Sequence, residues 1–447
     1  MIVAKIGGSC LGTKSDVRSV IQILKRIQEK PILVVSAFKG VTDELAIQAR
    51  NALEGKADLE KIANLHRDFI QDLGFEVKAQ IEDEVKVLFE EVQRLFQRIR
   101  CRKHLKPQDL DEVLSYGEKL ATKIVASYLV QSGIDARALW DSNAGIVTNS
   151  NFGNASILDK SIYLIREKLE TDFIPVIAGF FGRDEKGKVT TFGRGGSDYT
   201  ATFIAAALHC EVVLFKDVQG LMTADPKIVR NTSMIKRMNY LDALEMARYG
   251  SKVIFEKAIL PAMNAGIPIR IADFHRPTIG TTVSDQGSAT VISSLPRVTR
   301  LGLRRHISTS SVWLKLLSDL SAHDVYPLLT RTAGRDFFLI VKETDSEIAQ
   351  NMVRKIGGSN SISVDRELGV VAVVGIKSRK KGTVVVSRHL SEKEIVVDAM
   401  VRRRRSLCVI VNEKDVVKTT QALHDLFIET RSRRSLSPSQ HGEDSSG

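Results

Sequence analysis

Residues 190–198, Thr-Thr-Phe-Gly-Arg-Gly-Gly-Ser-Asp, set one fixed cation, Arg194, and one carboxylate, Asp198, in a glycine-rich loop that enters an Ala-rich helical segment at 199–208. Gly193, Gly195 and Gly196 permit positive φ and close backbone approach. A helix start adds unpaired N–H donors, and a guanidinium grips a carboxylate or phosphate with two prongs. This spacing suits an anion site; on its own, the loop also reads as a tight strand-to-helix turn with Asp198 as its cap. A second grouping opens the chain. Lys5 ends the apolar run 2–6 and is followed by Gly7, Gly8 and Ser9, which together place an ammonium and several N–H groups where phosphates could lie.

The elements that must carry these groups alternate between short apolar runs and helical periods, as an α/β fold with a largely parallel sheet requires. Residues 31–36, 174–179, 212–215 and 267–272 read as interior strands. The stretch 61–102 reads as long charged helices with Leu88, Val92, Leu95, Phe96 and Ile99 as their apolar stripe. A helix over 117–131 puts Leu120, Ile124 and Tyr128 on one face and Glu118 at its N-terminus. After residue 285 the character changes, with Gln286-Gly287-Ser288 as a linker. A repeat then follows: residues 337–345 align at an offset of 70 with 407–415, and 301–307 with 371–377. The Ser/Arg/Pro/Gly-rich end, 431–447, reads as disordered.

A chain of 447 residues with 43% hydrophobic content implies roughly two to three globular domains. Cys10, Cys101, Cys210 and Cys408 form no Cys-x-x-Cys pair, which points to reduced thiols in a cytoplasmic protein. The chain opens directly on a strand, without the pattern of a secretory signal, and no apolar run reaches 18 residues, so neither export nor a membrane is expected. The net charge of +12, with arginines at 402–405 and at Arg431, Arg433 and Arg434, invites a nucleic-acid reading. No nucleic-acid motif accompanies those arginines, and aromatics are only 6%. No nucleic-acid partner is expected, and the basic faces read as solvated or as steering small anions.

Six stretches carry a specific resemblance: Lys5-Ile6-Gly7-Gly8-Ser9, Val34 to Thr42, Leu114-Ser115-Tyr116-Gly117-Glu118, the 190–198 loop, Lys216 to Lys227, and Glu245 to Val253. In this order they resemble the aspartokinases of the amino acid kinase superfamily. The resemblance implies an α/β fold: a three-layer sandwich with a mainly parallel central sheet over 1–285, then a linker at 286–298. Two α+β ACT (ferredoxin-like) domains would follow at 299–365 and 366–430, before the tail at 431–447. It implies an ATP-dependent kinase that phosphorylates the β-carboxylate of L-aspartate, the first step towards lysine, threonine and methionine. It further implies association as a homodimer or higher homo-oligomer through the ACT domains, which would also take an amino-acid effector.

Residue by residue, the resemblance gives Lys5 and Lys252 as catalytic cations, with Asp198 holding both lysines. Arg194 would take a substrate carboxylate, Glu118 the α-ammonium, and Ser36 and Thr42 would donate hydroxyls beside Gly195, Gly196 and Ser197. The nucleotide would meet Lys5, Gly7, Gly8, Ser9, Lys216, Asp217, Met222, Asp225, Lys227, Lys252 and Val253. Mg²⁺ would come with ATP rather than sit in a carboxylate cluster. Taken alone, Ser36 and Thr42 could cap the following helix and Glu118 could complement a helix dipole.

The chain also departs from the family pattern. Ser9-Cys10 stands where Thr-Ser is common, Phe215-Lys216 where Trp-Thr is usual, Met222 where an aromatic is usual, and Phe255-Glu256 where His-Pro is common. In the repeats, Thr332-Ala333-Gly334-Arg335 and Arg403-Arg404-Arg405-Ser406 replace a Thr-Ser-Glu signature, so arginines there would disfavour lysine as an effector. The alternatives are a kinase for glutamate, acetylglutamate or a nucleotide, and a catalytically silent ligand sensor on the same fold.

Overall fold

A computed structural model of the chain describes residues 1–429 other than 28, 72, 304–309, 334–335, 358–361 and 377–381. The tail at 431–447, Gly334 and Arg335 of the altered repeat signature, and parts of 301–307 and 371–377 lie outside the described residues. Two compact units emerge. The first comprises 1–221, 236–240 and 253–287; the second comprises 222–235, 241–252 and the residues from 288 on.

The strands of the first unit are β1 (Ile2–Ile6), β2 (Pro31–Val35), β3 (Ala136–Leu139), β4 (Val147–Thr148), β5 (Ile174–Ala178), β6 (Phe181–Asp184), β7 (Val189–Thr191), β8 (Glu211–Lys216), β9 (Arg237–Asn239), β10 (Ile269–Asp273) and β11 (Ile279–Ser284). Its helices are α1 (Lys14–Arg26), α2 (Val41–Asn51), α3 (Glu60–Ile70), α4 (Phe75–Arg102), α5 (Pro107–Gln131), α6 (Ser161–Leu169) and α7 (Gly196–Ala207). Next along the chain come α8 (Tyr240–Arg248), most of which belongs to the second unit, and α9 (Glu256–Ala265) in the first.

Eight strands form one sheet in the order β3-β5-β2-β1-β8-β10-β11-β9. All its neighbours are parallel except β10 and β11. The sequence reason is visible in β1, β2 and β8: runs rich in Val, Ile and Leu whose alternate residues are buried on both faces, as a sheet covered on both sides demands. Ala4, Ile6, Leu33, Val35, Val213 and Phe215 share one core with α1 and α5. Strand β1 lies between β2 and β8, with Ile6 opposite Val35 on one side and Phe215 on the other. The carboxyl ends of three strands, and the loops leaving them, therefore stand side by side, which is where open parallel sheets bind ligands.

The stripe at Leu88, Val92, Leu95, Phe96 and Ile99 is buried along α4. Helix α5 corrects an expectation. It starts at Pro107, in the first-turn position that proline favours, and not at Gly117, so Glu118 lies inside the helix rather than at its N-terminus. Gly117 marks a close approach instead of a boundary: a Cβ there would stand 2.9 Å from the Ala37 Cβ.

In the second unit, β12 (Val291–Leu303), β13 (Leu329–Ala333), β14 (Asp336–Lys342), β15 (Ile362–Val374), β16 (Val397–Arg402) and β17 (Ser406–Asn412) form one antiparallel sheet. Its order is β13-β14-β12-β15-β17-β16. The helices are α10 (Ser310–Ala322), α11 (Ser346–Gly357), α12 (Gly382–Glu392) and α13 (Val416–His424). The repeat seen in the sequence is a repeat of structure: β14 bonds β12 as β17 bonds β15, and the two halves share a single sheet through the β12–β15 pair. Each half has its own core, one around Leu316, Leu320, Leu339 and Val353, the other around Val386, Leu390, Val409 and Leu423. The chain is thus mixed α/β with a mainly parallel first sheet and an antiparallel second one. Among the described residues no helix is long and apolar enough to cross a membrane, and no cysteine is paired in a disulfide.

Candidate active site

Asp198 lies in the first turn of α7 with its side chain 2% exposed. Lys5 Nζ, from β1, is 2.7 Å from its Oδ1, and Lys216, the last residue of β8, donates to its Oδ2 at 2.5 Å. Burial alone would raise this carboxyl; the charges of Lys216 and Lys5 outweigh it and hold the group at about 2. Burial conversely lowers the Lys5 ammonium, against the pull of Asp198. Of the two lysines expected at Asp198, Lys5 lies at one carboxylate oxygen, and the other oxygen is taken by Lys216. The reason is local. Where the family has Trp-Thr this chain has Phe215-Lys216, and the end of β8 brings its own cation. Lys252 is an exposed residue of the second unit.

The loops after β1 and β2 meet at Ala37. A Cβ on Gly8 would lie 2.8 Å from the Ala37 carbonyl oxygen, so only glycine lets the loop carrying Gly7, Gly8 and Ser9 pass there. The Ala37 amide donates to Glu118 Oε1 at 3.2 Å. Glu118 is 3% exposed, and its Oε2 is buried with no hydrogen-bond partner among the described residues. Burial pushes its carboxyl up to about 8, opposed in part by the Ala37 amide and by Lys5. Neither Ser36 nor Thr42 caps α2: its N-cap is Gly40 at φ +83°, with no side-chain bond. That excludes a capping role for both hydroxyls and leaves Ser36 buried on the loop after β2 and Thr42 half-buried in the first turn of α2.

In the 190–198 loop, Gly195 caps α7 in the left-handed region at φ +73°, where a Cβ would also strike the Phe255 ring at 2.4 Å. The altered Phe255 thus packs directly on the glycine-rich turn. Arg194 is exposed, and among the described residues no ion-pair partner engages it. Gly196 and Ser197 are buried in the first turn of α7.

Three residues were not found by sequence reasoning. Gly179, just after β5, makes room for Ser197, whose Cβ would lie 2.7 Å from a Cβ added there; a glycine at a strand end was the available signal. Asp111 on α5 accepts from the Thr191 amide at 2.7 Å, the Thr191 hydroxyl at 2.8 Å and the Gly153 amide at 2.8 Å. Lys257 on α9 donates to Ala155 O at 2.6 Å, to Asn154 Oδ1 at 2.9 Å and to Phe192 O at 3.5 Å. Together Asp111 and Lys257 hold Thr191 and Phe192, just before Arg194, against residues 153–155. Nothing in local spacing announces them, because their partners are far away in the chain.

Of the expected nucleotide positions, Lys5, Gly7, Gly8, Ser9, Lys216 and the exposed Asp217 gather at the carboxyl ends of β1 and β8, with Val253 in the same unit. Met222, Asp225, Lys227 and Lys252 belong to the second unit. Among the described residues, the grouping able to offer three metal ligands is His424, Asp425 and Glu429, also in the second unit.

Residues 1–273 match the model of the Amino acid kinase family. The chain is similar to Aspartokinase 1 of Bacillus subtilis (strain 168), 29% identical over 341 residues, which span 72% of this chain and 83% of that protein. It is also similar to Aspartate kinase of Pseudomonas putida, 26% identical over 449 residues, covering 96% of this chain and 97% of that one. Among solved structures, E. coli aspartokinase III in complex with aspartate and ADP (R-state) shares the fold with a TM-score of 0.84 at 24% identity, over 96% of this chain and 99% of that chain. With the family model covering residues 1–273 and the strand ends arranged around Lys5 and Asp198, the chain belongs to the amino acid kinase family.

Proposed function

We propose that this chain is an ATP-dependent aspartate kinase, which transfers the γ-phosphoryl group of ATP to the β-carboxylate of L-aspartate to give 4-phospho-L-aspartate. The observation that carries this reading is Glu118, a buried carboxyl with one free oxygen, near enough to Lys5 to feel its charge. A buried carboxylate acceptor beside a phosphate-binding centre wants a cationic partner. The α-ammonium of an amino acid supplies one; a nucleotide or an N-acylated acceptor does not. The names of the relatives favour aspartate among amino acids.

The acceptor is ionised at neutral pH, so no general base is needed, and the obstacle is the meeting of two anions. Asp198, locked between two lysines and held at about 2, orients cations rather than accepting a proton. Arg194 fits the substrate carboxylate as a bidentate donor. Ser36 offers a hydroxyl on the loop that Glu118 ties down and Thr42 one from the first turn of α2, and the Gly7-Gly8-Ser9 turn offers N–H groups to the phosphates. Met222, Asp225, Lys227, Lys252 and Val253 complete the nucleotide contacts. With both Asp198 oxygens engaged, the donor set fits Mg²⁺ carried on the nucleotide phosphates, where it neutralises charge, and not a dedicated cage.

The domains are read as a catalytic region over 1–285, a linker expected at 286–298 whose residues from Val291 on lie in β12, and ACT repeats at 299–365 and 366–430. The repeats serve association as a homodimer or higher homo-oligomer and sense an amino-acid effector. The enzyme works in the cytoplasm at the entry to lysine, threonine and methionine synthesis. Trapping the acyl phosphate as a hydroxamate tests the reading. Signal is expected with aspartate, ATP and Mg²⁺ and not with glutamate; no signal from folded protein would overturn it in favour of a silent sensor.

A further inference from the structure

We infer that Lys216 is a catalytic cation of this chain, its ammonium acting beside that of Lys5 on the phosphoryl group in transfer. The inference rests on the kinase reading above and adds a residue that the resemblance places only among the nucleotide contacts.

The argument begins with sheet order. β1 and β8 are adjacent and parallel, with Lys5 opposite Leu214 and Ile6 opposite Phe215, so Lys216 leaves the sheet beside the turn that starts at Gly7. Asp198 stands between the two side chains, 2.7 Å from one ammonium and 2.5 Å from the other. Two ammonium groups face one carboxylate, Lys216 donating to Oδ2 and Lys5 lying 2.7 Å from Oδ1, so with both lysines charged the cluster holds a surplus positive charge in a largely buried place. A surplus cation there is costly unless an anion comes to it. Each ammonium has three donors; Lys216 spends one on Asp198 and Lys5 faces the other oxygen as an ion pair, which leaves donors on both for phosphoryl oxygens. Lys216 retains access, with its side chain 13% exposed.

In the step itself, an aspartate carboxylate oxygen forms a bond to the γ-phosphorus as the bond to the bridging oxygen breaks, and the electron pair leaves on the β-phosphate of ADP. Lys216 takes up and gives away no proton in this step. Its contribution is charge stabilisation that grows as negative charge spreads over the equatorial oxygens and the leaving oxygen.

The alternative is that Lys216 only compensates the buried Asp198. K216Q separates the two, because glutamine keeps an N–H donor to Asp198 and removes the charge. The expected result is an unchanged melting temperature and a kcat lower by about 100-fold, the scale for losing one preorganised electrostatic contact. ADP affinity should stay within about threefold, while the preference for ATP over ADP is lost. K216T, which carries the residue usual in the family, provides a second variant should K216Q not fold, and the same kcat loss is expected. A kcat within fivefold of wild type in the folded variant, or an equal fall in ATP and ADP affinity, would overturn the inference. Hydroxamate formation by the wild-type protein tests the aspartate reading separately, and the comparison of ATP with ADP needs no acceptor, so the two failures are distinguishable.

Discussion

Glu118 Oε1 accepts the amide of Ala37 at 3.2 Å, and through this bond a residue buried in the middle of a 25-residue helix fixes the loop that leaves the second strand of the sheet. The same carboxyl keeps its other oxygen free. Its charge state therefore reports on whether a cationic partner has arrived.

Aspartate binding should be linked to protons. Burial raises the Glu118 carboxyl to about 8, so in the free protein it is largely neutral at pH 6 to 7 and must ionise to meet an ammonium. Affinity for aspartate should rise with pH, by up to tenfold per unit, and level off above about pH 8. Calorimetry in two buffers of different ionisation heat should show proton release at pH 7, absent in E118Q. Identical heats in both buffers would remove Glu118 as the ammonium partner.

Gly117→Ala should harm substrate use although alanine is the better helix former by about 1 kcal/mol. The new Cβ would stand 2.9 Å from the Ala37 Cβ and push the loop that carries Ser36. We expect a Michaelis constant for aspartate roughly tenfold higher, on the scale of a small positional error at a polar site, with thermal melting nearly unchanged. An unaltered constant would show that the loop position is not critical.

Arg194→Ala should separate binding from folding. The side chain is exposed, so stability should move by less than about 0.5 kcal/mol. Loss of a charge-assisted pair with substrate should cost about 1.5 to 3 kcal/mol, seen as a 10- to 100-fold rise in the aspartate Michaelis constant. A normal constant would assign the substrate carboxylate to another residue.

His66 should make the first unit acid-sensitive. It is fully buried, bonded through Nδ1 to Ile62 O at 2.7 Å and packed against Phe38 and Phe89, and burial lowers it to about 4. A folded value below the unfolded value of about 6.5 means that its contribution is complete above pH 6.5 and is lost as pH falls from 6.5 to 4, by roughly 3 kcal/mol in total. Urea midpoints at pH 7.5 and pH 5 should show the loss, and His66→Leu should reduce it.

Lysine at sub-millimolar concentration should not inhibit. Arg403 donates to the Tyr249 hydroxyl at 3.0 Å and Leu328 O at 3.1 Å, Arg405 to Asp242 at 2.7 Å, and Ser406 to Glu245 at 2.7 Å. These side chains, and the carboxylates of Asp242 and Glu245, are spent on one another within the second unit, which leaves neither carboxylate free for a cationic effector. Strong inhibition in a lysine titration would contradict this.

Much of the fold was legible without coordinates because the signals are local. Apolar runs such as 31–35 and 174–178 become strands, and the stripe from Leu88 to Ile99 buries one helix face. The offset of 70 recurs as two like-built halves of one sheet. The chemistry-bearing residues were visible for the same reason, since Lys5, Asp198 and Lys216 each sit beside glycines or at a strand end. What pairs with what was not visible. That Asp198 holds Lys216 follows from β8 lying beside β1, a strand order that no spacing along the chain records. Gly117 read as a helix boundary because a glycine in isolation looks like one; its reason is Ala37, 80 residues earlier, which must come within contact distance. Asp111 and Lys257 are alike in this. Local periodicity settles which face of an element is buried, whereas a long-range hydrogen bond exists only once the packing of the sheet has brought its two ends together.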